Sequence, residues 1–424
     1  MTFIIKTCAA IGTLLWILQL YKNLYYLGIL KNKTYKPTIT KYKYAICIAA
    51  RNEQKVIKNL LESIDNQDYP LEKLTVFVVA DNCTDKTAEL VKNYAELSKV
   101  NIICYEHKNP NERTKGFALK YLFEQIKNDY GINAFDGYFV FDADNVIAPD
   151  YVTRMNEAFA SGNKIVTSFR NSKNIDQNWI SFSYAMHWLR TCLFEHRGKN
   201  LLNLACRIQG TGFVFSNELV KDGWNYTSLT EDRAFCTDAV IKGYKIAYCE
   251  AAKFYDEQPY KLKVALKQRV RWAKGHLQSS VENCPKLLKN ACKLDKNTAM
   301  SIDCFWLNFP GTIESAIRKI ISWTFQIIIA IQASKALGVI GGICTSLLIG
   351  LAKFWLTNII LTIFVCIFYR KLLPKIKFWK FVWLIFMAPM FYKIGQYCTY
   401  VALFKKVEWK PIPHDYTVDV RKLK

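Results

Sequence analysis

Between residues 44 and 141, short runs rich in β-forming residues alternate with stretches whose apolar residues recur at helical spacing. The β-rich runs cover residues 44–49, 74–79, 100–105 and 138–141. An alternation of strands and helices is the pattern of β-α-β units, which assemble into a mostly parallel sheet. We therefore predict an α/β fold built on such a sheet. No competing period runs through this part of the chain.

Charged and polar residues follow directly after these runs. They are Arg51 and Glu53 after the first run, Asp81 after the second, and Asp142-Ala143-Asp144 after the fourth. In open sheets of this kind, which are typical of nucleotide-binding proteins, ligands lie outside the carboxyl ends of the strands. The pattern therefore predicts that these side chains converge on one site.

Asp142 and Asp144 form a D-x-D turn at the end of a hydrophobic strand. Two such carboxylates can hold a hard divalent cation, Mg²⁺ or Mn²⁺, whose other positions are filled by phosphate oxygens and water. A departing diphosphate needs this kind of charge stabilisation. Short acidic turns are also common as solvated loops, so the interpretation depends on the motifs that accompany this one.

The apolar residues are concentrated in residues 4–30 and 320–404. Both stretches exceed the roughly 20 residues that cross a hydrocarbon core of about 30 Å. The first could be a signal peptide, but its apolar part is long for one, which favours an anchor. We predict a multi-pass protein of the plasma membrane, with three or four C-terminal spans. The predicted parts are an anchor (1–30), a domain with interfacial helices (31–310), transmembrane and interfacial helices (311–404) and a tail (405–424).

The basic residues that follow the first apolar stretch place the large domain in the cytosol by the positive-inside rule. The formal net charge is +23, yet no zinc-ligand spacing or nucleic-acid-binding motif accompanies it. Lysines beside anionic membrane lipids and around a polyphosphate substrate explain the charge, so we predict no nucleic-acid partner. The 14 cysteines include no C-x-x-C pair and are interpreted as buried apolar residues.

Residues 177–197 carry many aromatic side chains beside Arg190, Glu195 and Arg197. An amphipathic helix at the membrane interface would have this composition. An ordinary core helix would have it as well, because aromatic residues serve both purposes. The sequence leaves both alternatives open.

Two further motifs follow the D-x-D turn in the chain: Glu231-Asp232 and then Gln268-Arg269-Val270-Arg271-Trp272. In this order the motifs resemble those of the family 2 inverting glycosyltransferases, in the membrane-embedded, processive branch that includes hyaluronan, cellulose, chitin and poly-N-acetylglucosamine synthases. The resemblance covers about residues 44–278 by motif. It implies a fold of the glycosyltransferase A type and a nucleotide-sugar donor.

The resemblance assigns donor-binding roles to residues at the strand ends. The loop with Ala50, Arg51 and Glu53 would hold the nucleoside, and Asp81 would contact uracil. Lys115, followed by a glycine, would lie against the diphosphate, since lysine supplies charge and glycine permits close approach. Asp144 would bind the metal directly. Asp142 would share that role and also meet the ribose or diphosphate.

Asp232 matches the position of the catalytic base, which removes the proton of the acceptor hydroxyl during direct displacement. Glu231 is the alternative base, and a structural helix N-terminus is the non-catalytic explanation of the pair. The loop Gly210-Thr211-Gly212 resembles the one at the acceptor terminus.

The segment from Gln268 to Trp272 matches the Q-x-x-R-W motif of processive members. On a helix, Gln268, Arg271 and Trp272 share one face, so that arginine can meet diphosphate while tryptophan stacks on a sugar. Arg269 belongs to the same acceptor and diphosphate group. The motif indicates repeated addition of sugar units.

The predicted function is transfer of a hexose or N-acetylhexosamine from a UDP-sugar to a growing β-linked polysaccharide. A single transfer to a lipid acceptor such as polyprenyl phosphate or diacylglycerol is the alternative within enzymes. A catalytically silent sugar-binding membrane protein is the alternative outside them, although four intact acidic residues argue against it. An auxiliary subunit is compatible with the layout. The tail residues 409–414 depart from the patterns of hyaluronan and cellulose synthases, which leaves the polymer open.

Overall fold

The structure is a computed structural model, and it describes residues 2–309, 321, 324, 341, 344–345, 347–408, 412 and 414–417, without the side chains of 2–5, 8 and 9. Eight strands are described: β1 (Tyr44–Ala50), β2 (Leu74–Asp81), β3 (Asn101–His107), β4 (Gly137–Asp142), β5 (Val146–Ile147), β6 (Ile165–Ser172), β7 (Phe213–Ser216) and β8 (Ile246–Asp256).

The helices of the described residues are α1 (Thr2–Ile17), α2 (Leu27–Leu30), α3 (Ile57–Asp65), α4 (Thr87–Ala95), α5 (Lys115–Asp129), α6 (Tyr151–Ala160), α7 (Trp179–Arg190), α8 (Arg197–Leu201), α9 (Glu231–Ile241), α10 (Leu262–Ala291), α11 (Thr298–Asn308), α12 (Leu347–Phe368), α13 (Phe378–Met387) and α14 (Met390–Phe404). A π-helical turn, Thr191–His196, joins α7 to α8.

The strands form one sheet in the order β3-β2-β1-β4-β7-β6-β8-β5. The four strands predicted from the sequence are all parallel and neighbouring, which confirms that part of the prediction. Beyond β4 the sheet is mixed, because β7 runs antiparallel to both β4 and β6, and β5 runs antiparallel to β8. The predicted parallel pairing holds for the first four strands and recurs between β6 and β8, but the antiparallel strands β5 and β7 make the sheet mixed.

The change of direction has a local cause. The loop of residues 210–212 lies at the carboxyl end of β4, where Gly212 N–H donates to the carbonyl of Val140 at 2.9 Å. The next strand, β7, thus begins beside the end of β4 and must run back along it. This arrangement brings the glycine loop to the same edge of the sheet as the D-x-D turn.

The sheet is covered on both faces. Along β4, Tyr138 and Val140 point into one apolar cluster, and Phe139 and Phe141 point into the other. Burial on both faces explains why the strands are continuous apolar runs without polar alternation.

Helix α7 is buried within the protein. It packs between β6 and the pair α13 and α14, and its side chains from Ile180 to Met186 are all buried. Asn178 caps its N-terminus in a capping box with Ser181. The core-helix alternative accounts for the aromatic residues of this segment.

Among the described residues, α12 is the one helix long and apolar enough to cross a membrane. The predicted anchor is not a single helix, since α1 ends at Ile17 and a 3-10 helix follows at Leu20–Tyr26. The predicted span at 320–333 lies almost wholly outside the described residues, and the one at 336–352 lies partly outside them. The stretch 378–404 divides into α13 and α14 at Pro389, as proline at a helix start favours.

Candidate active site

The residues assigned to the site from sequence all line one cavity of about 630 Å³ at the carboxyl ends of the strands. Helices α9, α10 and α14 form its other walls. The sequence-assigned residues around it are Ala50, Arg51, Glu53, Asp81, Lys115, Asp142, Asp144, Asp232, Gln268, Arg269, Arg271 and Trp272.

Asp81, the last residue of β2, is held by three neighbours. It forms an ion pair with Arg51, accepts a hydrogen bond from Asn82 Nδ2 at 2.8 Å, and lies 2.9 Å from His107 Nδ1. The Arg51 guanidinium also donates to the carbonyl of Arg113 at 3.0 Å. Asp81 therefore orients Arg51 at the cavity edge.

Lys115 is the first residue of α5 and points into the cavity. Its Nζ forms an ion pair with Asp142 and donates to the carbonyl of Gly210 at 2.8 Å. Burial lowers the pKa of Lys115, but the carboxylates of Asp142 and Glu231 outweigh burial and raise it above its ordinary value. The ammonium group is therefore charged at neutral pH and lies beside the Asp142 carboxylate.

Asp144 is buried, with 5% of its surface exposed. Its carboxylate accepts from Glu257 N–H at 2.8 Å and from Asn145 Nδ2 at 3.1 Å. Burial raises the pKa of Asp144, but the charges of His414 and Lys173 outweigh it and hold the pKa below its usual range. The carboxylate is thus ionised and fixed in place.

The acidic pair Asp142 and Asp144 fits a cation shared with the substrate. Within the described part of the chain, no group of three or more His, Cys, Asp or Glu residues is arranged to hold a metal by itself. Mg²⁺ is commonly bound by one or two carboxylates and completed by phosphate oxygens and water. The D-x-D turn, beside the basic Lys115, offers that donor set.

Helix α9 begins at Glu231, so both acidic residues of the motif lie in its first turn. A Cβ placed on Gly210, whose φ is +85°, would lie 3.9 Å from Asp232 Oδ2. Glu231 is buried, and burial together with the Asp232 charge raises its pKa to about 7 against the opposing effect of Lys115. The two adjacent carboxylates therefore have different environments.

The Q-x-x-R-W residues lie on α10. Arg271 Nη1 donates to the carbonyl of Leu229 at 3.1 Å, just before α9 begins. Trp272 makes edge-to-face contacts with Tyr184 and Trp188 of α7, at 6.0 and 5.9 Å between ring centroids. The motif thus joins the acidic turn of α9 to an aromatic wall.

Arg269 occupies a different position from Arg271. Its guanidinium stacks over Phe391 of α14, 3.5 Å from the ring centroid. Gly395 of α14 packs against the same guanidinium, and a Cβ there would collide with it. Arg269 therefore anchors α14 to α10 at the cavity wall.

Comparison with known proteins assigns the family. The family model described as "Glycosyltransferase like family 2" matches residues 42–275, which is more than half of the chain. The chain belongs to glycosyltransferase family 2.

Two curated relatives are similar to this glycosyltransferase. One is "Probable glycosyltransferase YdaM" of Bacillus subtilis, 25% identical over 62% of this chain and 64% of its own length. The other is the poly-beta-1,6-N-acetyl-D-glucosamine synthase of Staphylococcus aureus, 28% identical over 54% of this chain and 53% of its own. The chain thus spans between about half and just under two thirds of these relatives.

One solved structure resembles nearly the whole chain. It is the mannosyltransferase PcManGT from Pyrobaculum calidifontis in complex with GDP-Man and Mn²⁺, with a TM-score of 0.60, 17% identity, and coverage of 95% of this chain and 98% of that one. The likeness shows that this glycosyltransferase has a glycosyltransferase A-like α/β fold with a mixed sheet.

Several cavity residues of this glycosyltransferase were not assigned from sequence. Arg170 on β6 bonds to Asp256 on β8, with Nε 2.9 Å from Oδ2, and stacks 3.9 Å over the Trp188 ring. Buried arginine and aspartate residues within strand-like runs give no signal of their own in a single sequence. Only the pairing of β6 with β8 brings the two together.

His414, from the tail, is another cavity residue that was not assigned from sequence. Its Nδ1 lies 3.0 and 3.1 Å from the two carboxylate oxygens of Glu53, 361 residues away in sequence. Burial lowers the pKa of His414, but the carboxylates of Asp144 and Glu53 outweigh it and raise the pKa to about 10. The tail therefore brings a protonated imidazole to the donor side of the cavity.

We expect His414→Gln to loosen the tail. The amides of Asp415 and Tyr416 donate to the Glu257 carboxylate at 3.0 and 2.9 Å, and they should lose protection when the charged contact to Glu53 is removed. Hydrogen exchange of the peptide carrying residues 414–417, measured by mass spectrometry at neutral pH, checks this.

Lys55→Gln is the control for the tail experiment, because it removes the exposed ion pair between Lys55 and Asp415. Water and salt screen exposed ion pairs, so this variant should change exchange little. Equal exchange in both variants and in the unchanged protein would contradict a docking role for His414.

Proposed function

We propose that this glycosyltransferase transfers a hexose or N-acetylhexosamine, with inversion, from a UDP-sugar to a growing β-linked polysaccharide at the cytosolic face of the plasma membrane. The observation that supports the proposal most is the convergence of three elements on one cavity. They are the D-x-D turn, Asp232 and the Q-x-x-R-W residues.

The geometry supports a direct displacement. Asp232 faces the glycine loop at Gly210, so an acceptor hydroxyl placed there could give its proton to the carboxylate as its oxygen attacks the anomeric carbon. Lys115 lies beside Asp142 on the donor side and would face the departing diphosphate, with Arg271 near the acidic turn. A bound Mg²⁺ or Mn²⁺, held by Asp142 and Asp144, would supply further charge neutralisation there.

The relatives support the donor and the product in different ways. The Staphylococcus aureus relative is named a poly-beta-1,6-N-acetyl-D-glucosamine synthase, which favours an N-acetylhexosamine and a polymer. The solved mannosyltransferase holds GDP-Man and Mn²⁺, which supports the divalent cation and adds a GDP-sugar to the donors worth testing.

A single transfer to a membrane-lipid acceptor is the second candidate. Helix α14 contributes Phe391, Tyr392 and Tyr400 to the cavity wall. The candidate membrane span α12 lies close by, since its Asn358 accepts a hydrogen bond from Arg190 of α7 at 3.0 Å. An apolar wall beside a candidate span suits a lipid as well as a sugar chain.

The test uses the full chain in lipid nanodiscs with Mg²⁺ or Mn²⁺ and a panel of radiolabelled UDP- and GDP-sugars. A long polymer made from one donor would support the synthase and name its sugar. One sugar per lipid would favour the second candidate. No turnover with any donor would count against both and favour a silent sugar-binding protein.

We expect Trp272→Ala to shorten the product more than it weakens donor binding. Trp272 lies in the aromatic wall with Tyr184 and Trp188, away from the D-x-D turn, so its loss removes a stacking surface for a sugar ring. Gel sizing of the polymer and calorimetric titration of UDP measure the two effects. Trp272→Phe keeps an aromatic face and should keep most of the length, whereas full-length product from Trp272→Ala would exclude the acceptor role.

A further inference from the structure

The part of the cavity beyond Asp232 is lined by basic side chains that no sequence motif predicted. We call Arg207, Arg233 and His276 the basic cluster. Arg233 is next to Asp232 on α9, and His276 lies one helical turn after Trp272 on α10. Arg207 precedes the glycine loop. Each member thus adjoins a residue of the proposed acceptor side.

The Arg233 guanidinium has more N–H donors than the contacts described for it use. Its Nη1 donates to the carbonyl of Leu307 at 3.2 Å. Across the residues that the structure describes, no carboxylate oxygen lies within 4.0 Å of its guanidinium nitrogens. A guanidinium carries several N–H donors in a planar fork, and the Arg233 side chain lines the cavity, where its other donors can meet a ligand.

The other two members are also incompletely paired. Arg207 Nη2 lies 3.3 Å from Glu195 Oε2 and donates to Thr191 Oγ1 at 3.4 Å. Lys199 also contacts Glu195, but it has a second carboxylate partner in Asp303 at 3.0 Å. Within the described chain, Arg207 Nε and His276 Nε2 are buried without a hydrogen-bond partner. A buried polar group left without a partner is destabilising, and both of these side chains line the cavity.

The electrostatics of the cluster indicate the sign of the missing ligand. Burial and the neighbouring Arg207 lower the pKa of Arg233. Arg233, burial and Arg207 together lower the pKa of His276 to about 3, so this imidazole is neutral. The two half-buried guanidinium groups therefore repel each other. Of the two, Arg207 is the one that pairs with Glu195, and the charge of Asp232 opposes the effect on Arg233 only in part, so an anion at the cavity side of Arg233 would reduce the repulsion.

We propose that the basic cluster binds a phosphate group carried by the acceptor, so that the acceptor is a hydroxyl compound that also bears a phosphate ester. The inference rests on the proposed function, since it assumes that the acceptor hydroxyl binds beside Asp232. Arginine binds phosphate through paired hydrogen bonds, and a neutral imidazole can donate one more.

The chemistry of transfer is unchanged by this group. The acceptor hydroxyl oxygen forms the bond to the anomeric carbon, and the bond from that carbon to the diphosphate oxygen breaks with its electron pair. The hydroxyl proton passes to Asp232. The basic cluster binds the acceptor phosphate to one side of the reacting atoms. This binding orients the acceptor hydroxyl toward the anomeric carbon.

Binding of sn-glycerol 3-phosphate is the direct test. The full chain is held in phosphatidylcholine nanodiscs with saturating UDP and Mg²⁺, so that the donor side is filled, and is titrated calorimetrically. We expect binding of glycerol 3-phosphate but not of glycerol. Arg207→Gln and Arg233→Gln should each weaken that binding by about tenfold or more, while UDP affinity is unchanged.

Two controls separate the cluster from general effects. Arg233→Lys keeps the charge and should retain more affinity than Arg233→Gln. Arg154→Gln makes the same chemical change on α6, outside the cavity, where Arg154 pairs with Asp150, and should have no effect. Absence of saturable binding to the unchanged protein, or an affinity in both cluster variants equal to that of the unchanged protein, would overturn the proposal.

The source of the phosphate is resolved by changing the lipid. If phosphatidylglycerol nanodiscs compete with glycerol 3-phosphate, the phosphate belongs to a lipid head group; if they do not, it belongs to a soluble or polymeric acceptor. Failure of the proposed function can be distinguished from failure of the phosphate-site proposal. Normal transfer to a neutral glycan by both cluster variants would overturn only the phosphate site, whereas no transfer from any donor would overturn only the proposed function.

Discussion

Asp232→Asn is expected to reduce sugar transfer by about 10²–10⁴-fold, the usual contribution of a general base, while UDP binding remains measurable. Asp232 lines the cavity opposite the glycine loop, and the amide keeps the size of the side chain but cannot accept the acceptor proton. The donor-side contacts of Lys115, Asp142 and Asp144 are left in place. Steady-state rates in nanodiscs and calorimetric titration of UDP measure the two quantities.

Glu231→Gln is the matched control, because it makes the same change one residue earlier in α9. If Glu231 were the base, this variant would be the inactive one. In that case the rate of the unchanged enzyme would fall as pH drops through about 7, where the raised pKa of Glu231 lies. Retained turnover by Asp232→Asn would exclude the proposed base.

Asp144→Asn is expected to remove the strengthening of UDP binding by Mn²⁺ and to lower transfer by more than about a hundredfold, since a metal at a transferring group contributes several kcal/mol. Asp144 is ionised, and the Glu257 N–H group holds its carboxylate in place within the D-x-D turn that also contains Asp142. Titration of UDP with and without Mn²⁺ measures the linkage between metal and nucleotide.

Asp150→Asn serves as the control for Asp144→Asn. Asp150 is an exposed partner of Arg154, removed from the cavity lining, and the same change there should leave metal dependence intact. Thermal unfolding without ligands shows whether Asp144→Asn is folded. A folded Asp144→Asn protein with undiminished Mn²⁺ dependence would refute the assignment of this carboxylate to the metal.

The first four strands were predictable because their signal is local. Apolar runs of strand length, separated by helical spacing, determine β-α-β units, and the handedness of these units places successive strand ends at one edge. Asp81 and Asp142 could therefore be placed together from the sequence. Their partners could not, since the binding of Asp81 to His107 depends on how neighbouring strands pair.

The family 2 motifs, the α/β class and the acidic and basic residue types of the site were predictable from sequence, because short contiguous stretches of the chain carry each of them. Tertiary structure alone decided that the sheet turns mixed after β4, that α7 is buried, and that His414 reaches Glu53. It also decided that Arg207, Arg233 and His276 share one wall. These features depend on contacts between segments far apart in the chain, and no local periodicity or spacing encodes such contacts.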